Sequence, residues 1–252
     1  MEFVDVHCHL ESTRFDEDRD EVVRRAEEKG VKLIINSGTA PKRNREVLEL
    51  SNKYDIAKAS FGWYPIGNFS KDIDKEIKWI EENKDNCVSI GECGLDFDTE
   101  ERKATFEEQK EMFIKMIHLA KKLKKPLVTH TRKAELQAIE ILEEEGMKNY
   151  PVIMHCFCGR KSLIKRCIEN GWFLTVPPVV KRWQNFQVTA ELVPLDQLLT
   201  ETDAPYLSPV SGERNESSNI PIAIQEIAKI KSLSEEEVAR QIFNNAKRLF
   251  NL

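Results

Sequence analysis

Two histidines two residues apart, His7 and His9, lie inside the opening stretch Phe3-Val-Asp-Val-His-Cys-His-Leu10. On a strand, alternate side chains share a face, so Asp5, His7 and His9 look one way and Val4, Val6, Cys8 and Leu10 the other. At ~3.3 Å rise per residue the two backbones lie roughly 7 Å apart, and the rings can lean onto one ion at about 2.0–2.1 Å from each nitrogen. An isolated His-x-His pair can equally be the polar face of a strand in water. What gives it weight is Glu92, His130, His155 and Asp203, which also fall at the C-terminal ends of predicted strands. Imidazole and carboxylate together suit zinc and related divalent ions. Two ligand groups can be built, one from His7, His9 and Asp203 and the other from His130 and His155. Glu92 sits between them and can offer one carboxylate oxygen to each. The fifth histidine, His118, falls within a long helix and reads as structural.

The elements that must carry these residues alternate along the chain. Apolar, partly β-branched runs predict strands at 3–10, 31–37, 56–61, 87–91, from 126, 151–156, 172–176 and 198–202. Helical spacing predicts helices at 16–29, 41–54, 71–82, 103–124, 134–145 and 161–169, then two more after the eighth strand. Gly30, Gly146 and Gly171 stand where helices should stop, and Ser234 with Glu237 forms a capping box. Residues 177–194 show no clear pattern. Eight buried strands alternating with helices predict a TIM (β/α)8 barrel spanning residues 1–252 as one domain. An open doubly wound sheet would want a glycine-rich first turn, and there is none.

A chain of 252 residues with 40% hydrophobic and 32% charged side chains has enough apolar material for such a core and a wet surface. Its net charge of −5 argues against broad coating of nucleic acid, though not against a site that grips one phosphate. The start has no basic flank or apolar core of a signal peptide, and no apolar run is long enough for a membrane span. The six cysteines read as reduced thiols of a cytoplasmic protein.

Five stretches together resemble the TatD family of metal-dependent hydrolases, within the amidohydrolase-like barrel superfamily. They are Asp5-Val-His-Cys-His9-Leu, Ile90-Gly-Glu-Cys-Gly-Leu-Asp96, His130-Thr-Arg132, His155-Cys-Phe-Cys-Gly159 and Glu201-Thr-Asp-Ala-Pro-Tyr-Leu207. The resemblance runs from the first strand to beyond the eighth, in the family's order. It implies a TIM barrel, one or two divalent metals held by His7, His9, Glu92, His130, His155 and Asp203, and deoxyribonuclease activity, as in several members. This chain departs from the family pattern at two places. The turn Gly62-Trp63-Tyr64-Pro65 has Tyr64 where many members have histidine. Arg214-Asn215-Glu216-Ser217 lacks the family's proline.

The chemistry expected is hydrolysis of a phosphate ester, most naturally in DNA at a single-stranded or 3′ end. A divalent ion, whether zinc, magnesium or manganese, can lower the pKa of bound water from 15.7 to ~7. Asp203, with Glu92, would be catalytic, holding that water and taking its proton. Arg132, two residues past His130 on the same face, can present a bidentate fork to phosphate. Trp63, Tyr64 and Phe157 are candidates to stack on a base, and Arg214 and Glu216 to meet substrate from a loop. Lys181, Arg182 and Trp183 form a basic-aromatic cluster that could guide a strand end. Two rival readings use the same residues. One is hydrolysis of an amide, lactone or aminoacyl ester, and the other a barrel that binds without catalysis.

Overall fold

The computed structural model describes residues 1–67 and 72–251. Its eight strands are β1 (Phe3–Cys8), β2 (Val31–Ser37), β3 (Ala57–Trp63), β4 (Cys87–Asp96), β5 (Leu127–Arg132), β6 (Val152–His155), β7 (Phe173–Val176) and β8 (Leu198–Thr200). Each pairs in parallel with the next, in the order β1 to β8. The sheet then returns on itself. The Asp203 N–H donates to the His7 carbonyl at 2.9 Å, His9 N–H to Ala204 O at 2.8 Å, and Thr200 Oγ1 to Val4 O at 2.7 Å. A parallel strand covered on both faces must be apolar along its length, and β1 and β7 are buried throughout.

Helices fill the crossovers: α1 (Arg19–Glu28), α2 (Pro41–Lys53), α3 (Ile73–Glu82), α4 (Glu100–Ala104), α5 (Phe106–Leu123), α6 (Glu135–Glu144), α7 (Lys161–Glu169) and α8 (Gln184–Leu192). Two more, α9 (Ile220–Lys231) and α10 (Glu235–Phe250), close the chain. The α10 cap is the predicted one, with Ser234 Oγ accepting from Glu237 N–H at 3.2 Å. One continuous hydrophobic cluster joins the strands to this outer layer, from Phe3 and Val4 to Leu249 and Phe250.

Several boundaries differ from the sequence reading: β1, β3 and β8 shift by two residues at their C-terminal ends, and four other differences have a local cause. The first helix begins at Arg19 because a 3-10 turn, Thr13–Phe15, comes before it. The helix expected over 71–82 begins at Ile73, and Lys71 lies outside the described residues. The helix expected over 103–124 breaks at Thr105, where the buried Gln109 amide takes the Arg102 carbonyl at 2.7 Å and receives the Asp96 N–H at 2.8 Å. Residues 177–194 hold a 3-10 turn, Pro178–Lys181, and α8.

The fourth difference matters most for the site. The fourth strand does not stop before Glu92 but runs on to Asp96, so Glu92 lies inside it. The ladder to β5 slips between Ile90 and Cys93. Glycines make this possible. A Cβ on Gly91 would lie 2.5 Å from Val128 O and one on Gly94 only 2.0 Å from His130 O. Both have φ near +145°, a region glycine enters without steric cost. The Gly91-Glu92-Cys93-Gly94 run thus brings the Glu92 backbone close to the strand that carries His130.

Candidate metal centre

His7 and His9 project from β1 and the turn after it, and their outer nitrogens are held from behind. Ser37 Oγ lies 3.2 Å from His7 Nδ1, and the Ser37 carbonyl lies 3.0 Å from His9 Nδ1. Both Nε2 atoms therefore face inward, 3.2 Å apart. Glu92 Oε2 is 3.3 Å from one and 3.4 Å from the other, and Asp203 Oδ1 is 3.7 and 3.5 Å from them. A tetrahedral ion with ~2.1 Å bonds separates its ligand atoms by about 3.4 Å. The four atoms match that spacing.

The other Glu92 oxygen serves a second group. Oε1 lies 2.8 Å from His130 Nδ1 and 4.0 Å from His155 Nε2. His130 Nδ1 is buried and makes no aligned hydrogen bond despite that short approach. A cation shared by Nδ1 and Oε1 would satisfy both atoms. Glu92, His130 and His155 form one cluster able to hold an ion, and His7, His9 and Asp203 another. The donor set of imidazoles and carboxylates fits divalent metals.

Charge in this pocket is strongly coupled. Burial opposes ionisation of Glu92, yet His130, His7 and His9 hold its carboxyl well below the usual range. Asp203 is likewise lowered against its burial, by His9 and then His155. Burial and the neighbouring His155 push His7 down. Burial would also lower His9, but Asp203, Glu11 and Glu92 lift it well above the usual histidine value. Protons here stand in for cationic charge, so metal binding must expel them.

Several supporting residues escaped the sequence reading. Glu201 is fully buried, with Oε2 2.7 Å from His155 Nδ1 and Oε1 accepting the Cys156 N–H at 2.9 Å. It turns His155 Nε2 toward the cluster and, with Asp203 and Glu92, lifts the His155 pKa to about 9 against burial. Its signal was its place two residues before Asp203, just past the end of β8. Asp5, also fully buried, receives Thr202 N–H at 2.9 Å and the Ser217 hydroxyl at 2.7 Å. Burial, only partly offset by those donors, raises its pKa to about 7. Asp5 thereby ties β1 to the Asp203 loop. Asp203 itself has φ +52°, which swings its carboxylate back over the barrel mouth.

The substrate candidates fare differently. Tyr64 reaches the site, its hydroxyl donating to Asp96 Oδ2 at 2.7 Å and lying 3.2 Å from His130 Nε2. Arg132 ends β5 largely exposed, 3.8 Å from Asp98. Trp63 is corrected. Its ring is buried in the core with the indole N–H directed at Met112 Sδ, so it has no face to offer a base. Phe157 is equally buried. Arg214 and Glu216 are turned to α1 rather than to the mouth. Arg214 clamps Asp18 at 2.8 and 2.6 Å, and Glu216 binds Arg25 at 2.9 and 2.6 Å. Their charge is spent on joining the loop after β8 to α1. Trp183 is exposed and stacks on Phe186, and Arg182 donates to Ser208 O at 3.0 Å.

An eight-stranded parallel barrel with a carboxylate-bridged histidine cluster at the C-terminal mouth is the architecture of the barrel metal-dependent hydrolases. The chain matches the family described as TatD related DNase over residues 4–251. It is 34% identical over 262 residues to deoxyribonuclease TATDN3 of Homo sapiens, covering 98% of this chain and 94% of that protein. It is 32% identical over 260 residues to the 3'-5' ssDNA/RNA exonuclease TatD of Erwinia tasmaniensis, covering 98% and 99%. The crystal structure of YJJV, a TatD homologue from Escherichia coli, superposes with a TM-score of 0.91 at 25% identity, covering 99% of this chain and 98% of that one. The chain belongs to the TatD family of metal-dependent hydrolases.

Proposed function

We propose that this enzyme cleaves phosphodiester bonds of single-stranded nucleic acid near a chain end. His7, His9, Glu92 and Asp203 would hold one divalent ion, and Glu92, His130 and His155 a second. The observation that carries the reading is the pair of Glu92 oxygens, each facing its own histidine group at 2.8–4.0 Å. Imidazole-rich donors favour zinc over magnesium or manganese. A bound divalent ion supplies water of lowered pKa and positive charge for the phosphoryl oxygens.

The protein's own residues do the rest. Asp203 is the more open of the two central carboxylates, with its side chain 17% exposed against 4% for Glu92. It holds the attacking water and accepts its proton. Glu92 keeps the two histidine groups at fixed separation. Arg132 forks onto a phosphate oxygen. Tyr64 stays neutral, since burial, with Glu92 and Asp96, raises its pKa, and it braces His130 and Asp96. A net charge of −5 suits a grip on one strand end rather than long duplex. No helix among the described residues is long and apolar enough to cross a membrane. All six cysteines are free thiols, which accords with a reducing cytoplasm. The test is cleavage of end-labelled single-stranded DNA across several divalent metals, with a chelator control. Amide, lactone and aminoacyl ester substrates run in parallel. Turnover of those carbonyl substrates, with the DNA left intact, would overturn the reading.

A further inference from the structure

We propose that Arg14 and Tyr206 form a nucleotide subsite beside the metal centre, Tyr206 stacking on a base and Arg14 holding the adjoining phosphate. This rests on the phosphodiester reading above and says where the end nucleotide of the strand lies.

Tyr206 follows Asp203 in the loop after β8 and is 54% exposed. Large hydrophobic side chains left this open are few among the described residues: Met1, Trp183, Tyr206 and Val210. Its ring centroid is 6.4 Å from that of His9, at 71°. The loop beneath the ring is built to hold it there. Tyr206 N–H donates to Asp203 O at 2.8 Å, Asn215 N–H to Pro205 O at 3.2 Å, and Asn215 Nδ2 to Thr202 O at 2.8 Å. Asn215 is fully buried. A tyrosine fixed at the backbone, with half of its surface open and Arg14 over the ring, presents a stacking face at little ordering cost.

Arg14 lies in the loop after β1, exposed, with its guanidinium 5.9 Å from the centre of the Tyr206 ring. Of the nearby acids, Asp16 pairs with Arg19 at 2.6 Å and Asp18 with Arg214 and Arg25. Its backbone is pinned, because Arg214 Nη1 donates to Arg14 O at 2.7 Å and the same guanidinium covers the Phe15 ring at 4.7 Å. Thus the Arg214 side chain, turned from the mouth, holds in place an arginine that faces it. A cation with a planar fork suits phosphate, and an exposed aromatic ring suits a base of any identity. Tyr206 neighbours His9 and Arg14 neighbours Tyr206, and together they describe a nucleotide rather than a free anion or a peptide.

The experiment compares wild type with Tyr206→Ala, Tyr206→Phe and Arg14→Ala in the metal-loaded enzyme. The substrates are an end-labelled single-stranded oligodeoxynucleotide and the same oligomer with an abasic terminal residue. Tyr206→Ala is expected to raise KM for the normal oligomer about tenfold or more, with kcat little changed, and to leave the abasic oligomer nearly unaffected. Tyr206→Phe should behave as wild type on both. Arg14→Ala should raise KM on both and reduce the salt slope of log(1/KM) by about 0.7. Metal content stays at the wild-type level in all three. Equal losses on both oligomers for Tyr206→Ala, or loss of metal, would mean that the ring acts only through His9. An unchanged salt slope in Arg14→Ala would remove the phosphate contact. If wild type cleaves the oligomer and all variants match it, the subsite is wrong and the phosphodiester reading stands. If wild type cleaves no oligomer with any metal, both fall.

Discussion

Glu201 touches no candidate substrate position, yet replacing it by glutamine should unload one metal. The carboxylate accepts from two directions, the His155 Nδ1–H at 2.7 Å and the Cys156 N–H at 2.9 Å. Because Glu201 can only accept, a hydrogen must sit on His155 Nδ1, so that the proton given up to a metal leaves from Nε2, on the side of Glu92 and Asp203. A glutamine of the same size keeps its carbonyl oxygen on the Cys156 N–H. Its amide nitrogen then meets Nδ1 as a donor, and the imidazole must carry its hydrogen on Nε2, pointing at the ion. Partners behind metal-binding histidines are worth about 10–100-fold in metal affinity, or about 1.4–2.7 kcal/mol. A competition titration against a chromogenic chelator reads this directly, with far-UV circular dichroism and thermal unfolding of the metal-free proteins as the fold control. The ion held by His7, His9 and Asp203 should be affected least. A folded Glu201→Gln protein that binds every equivalent of metal as tightly as wild type would refute the reasoning.

Three further outcomes are expected. Asp203→Asn should lower turnover on single-stranded DNA by about 100- to 10,000-fold, the usual weight of a general base; undiminished hydrolysis would deny Asp203 the proton. Gly94→Ala pushes a methyl group to 2.0 Å from His130 O, so it should cost more than about 2 kcal/mol in urea unfolding and weaken metal binding. Wild-type stability in that variant would show that β4 and β5 can part freely. Asp18 is held down to about 2 by Arg214, then Arg25, against its ordinary 3.8. A depressed carboxyl stabilises above its unfolded value and ceases to as pH falls through its folded one. The stability gap between wild type and Asp18→Asn, no more than about 1 kcal/mol at a site this exposed, should therefore be full at pH 5 and close between pH 4 and 2. A gap that stays constant over that range would rule out the ion pair as its source.

Much of this enzyme can be read along the chain because its signals are local. Burial on both sides of a parallel strand leaves continuous apolar runs, which give the span of β2, and helical spacing gives that of α7. The six imidazole and carboxylate positions were legible because the C-terminal ends of strands converge at one mouth in a closed barrel. Local pattern misplaced Trp63, Arg214 and Glu216, and it passed over Glu201, Asp5 and Arg14. Polarity tells that a side chain seeks a partner but not where that partner lies. Arg214 finds Asp18 across 196 residues, and Glu201 finds His155 across 46.

Residue order alone therefore points to the groups that could ligate a cation and to a ring of strands that carries them. Folding assigns the partners. It bends β4 through Gly91 and Gly94 so that Glu92 faces both histidine groups, and it turns one arginine inward as a brace while leaving another open at the rim. The physical reason is that ligand type is a property of one side chain, whereas orientation belongs to contacts between segments that the chain keeps far apart until it folds.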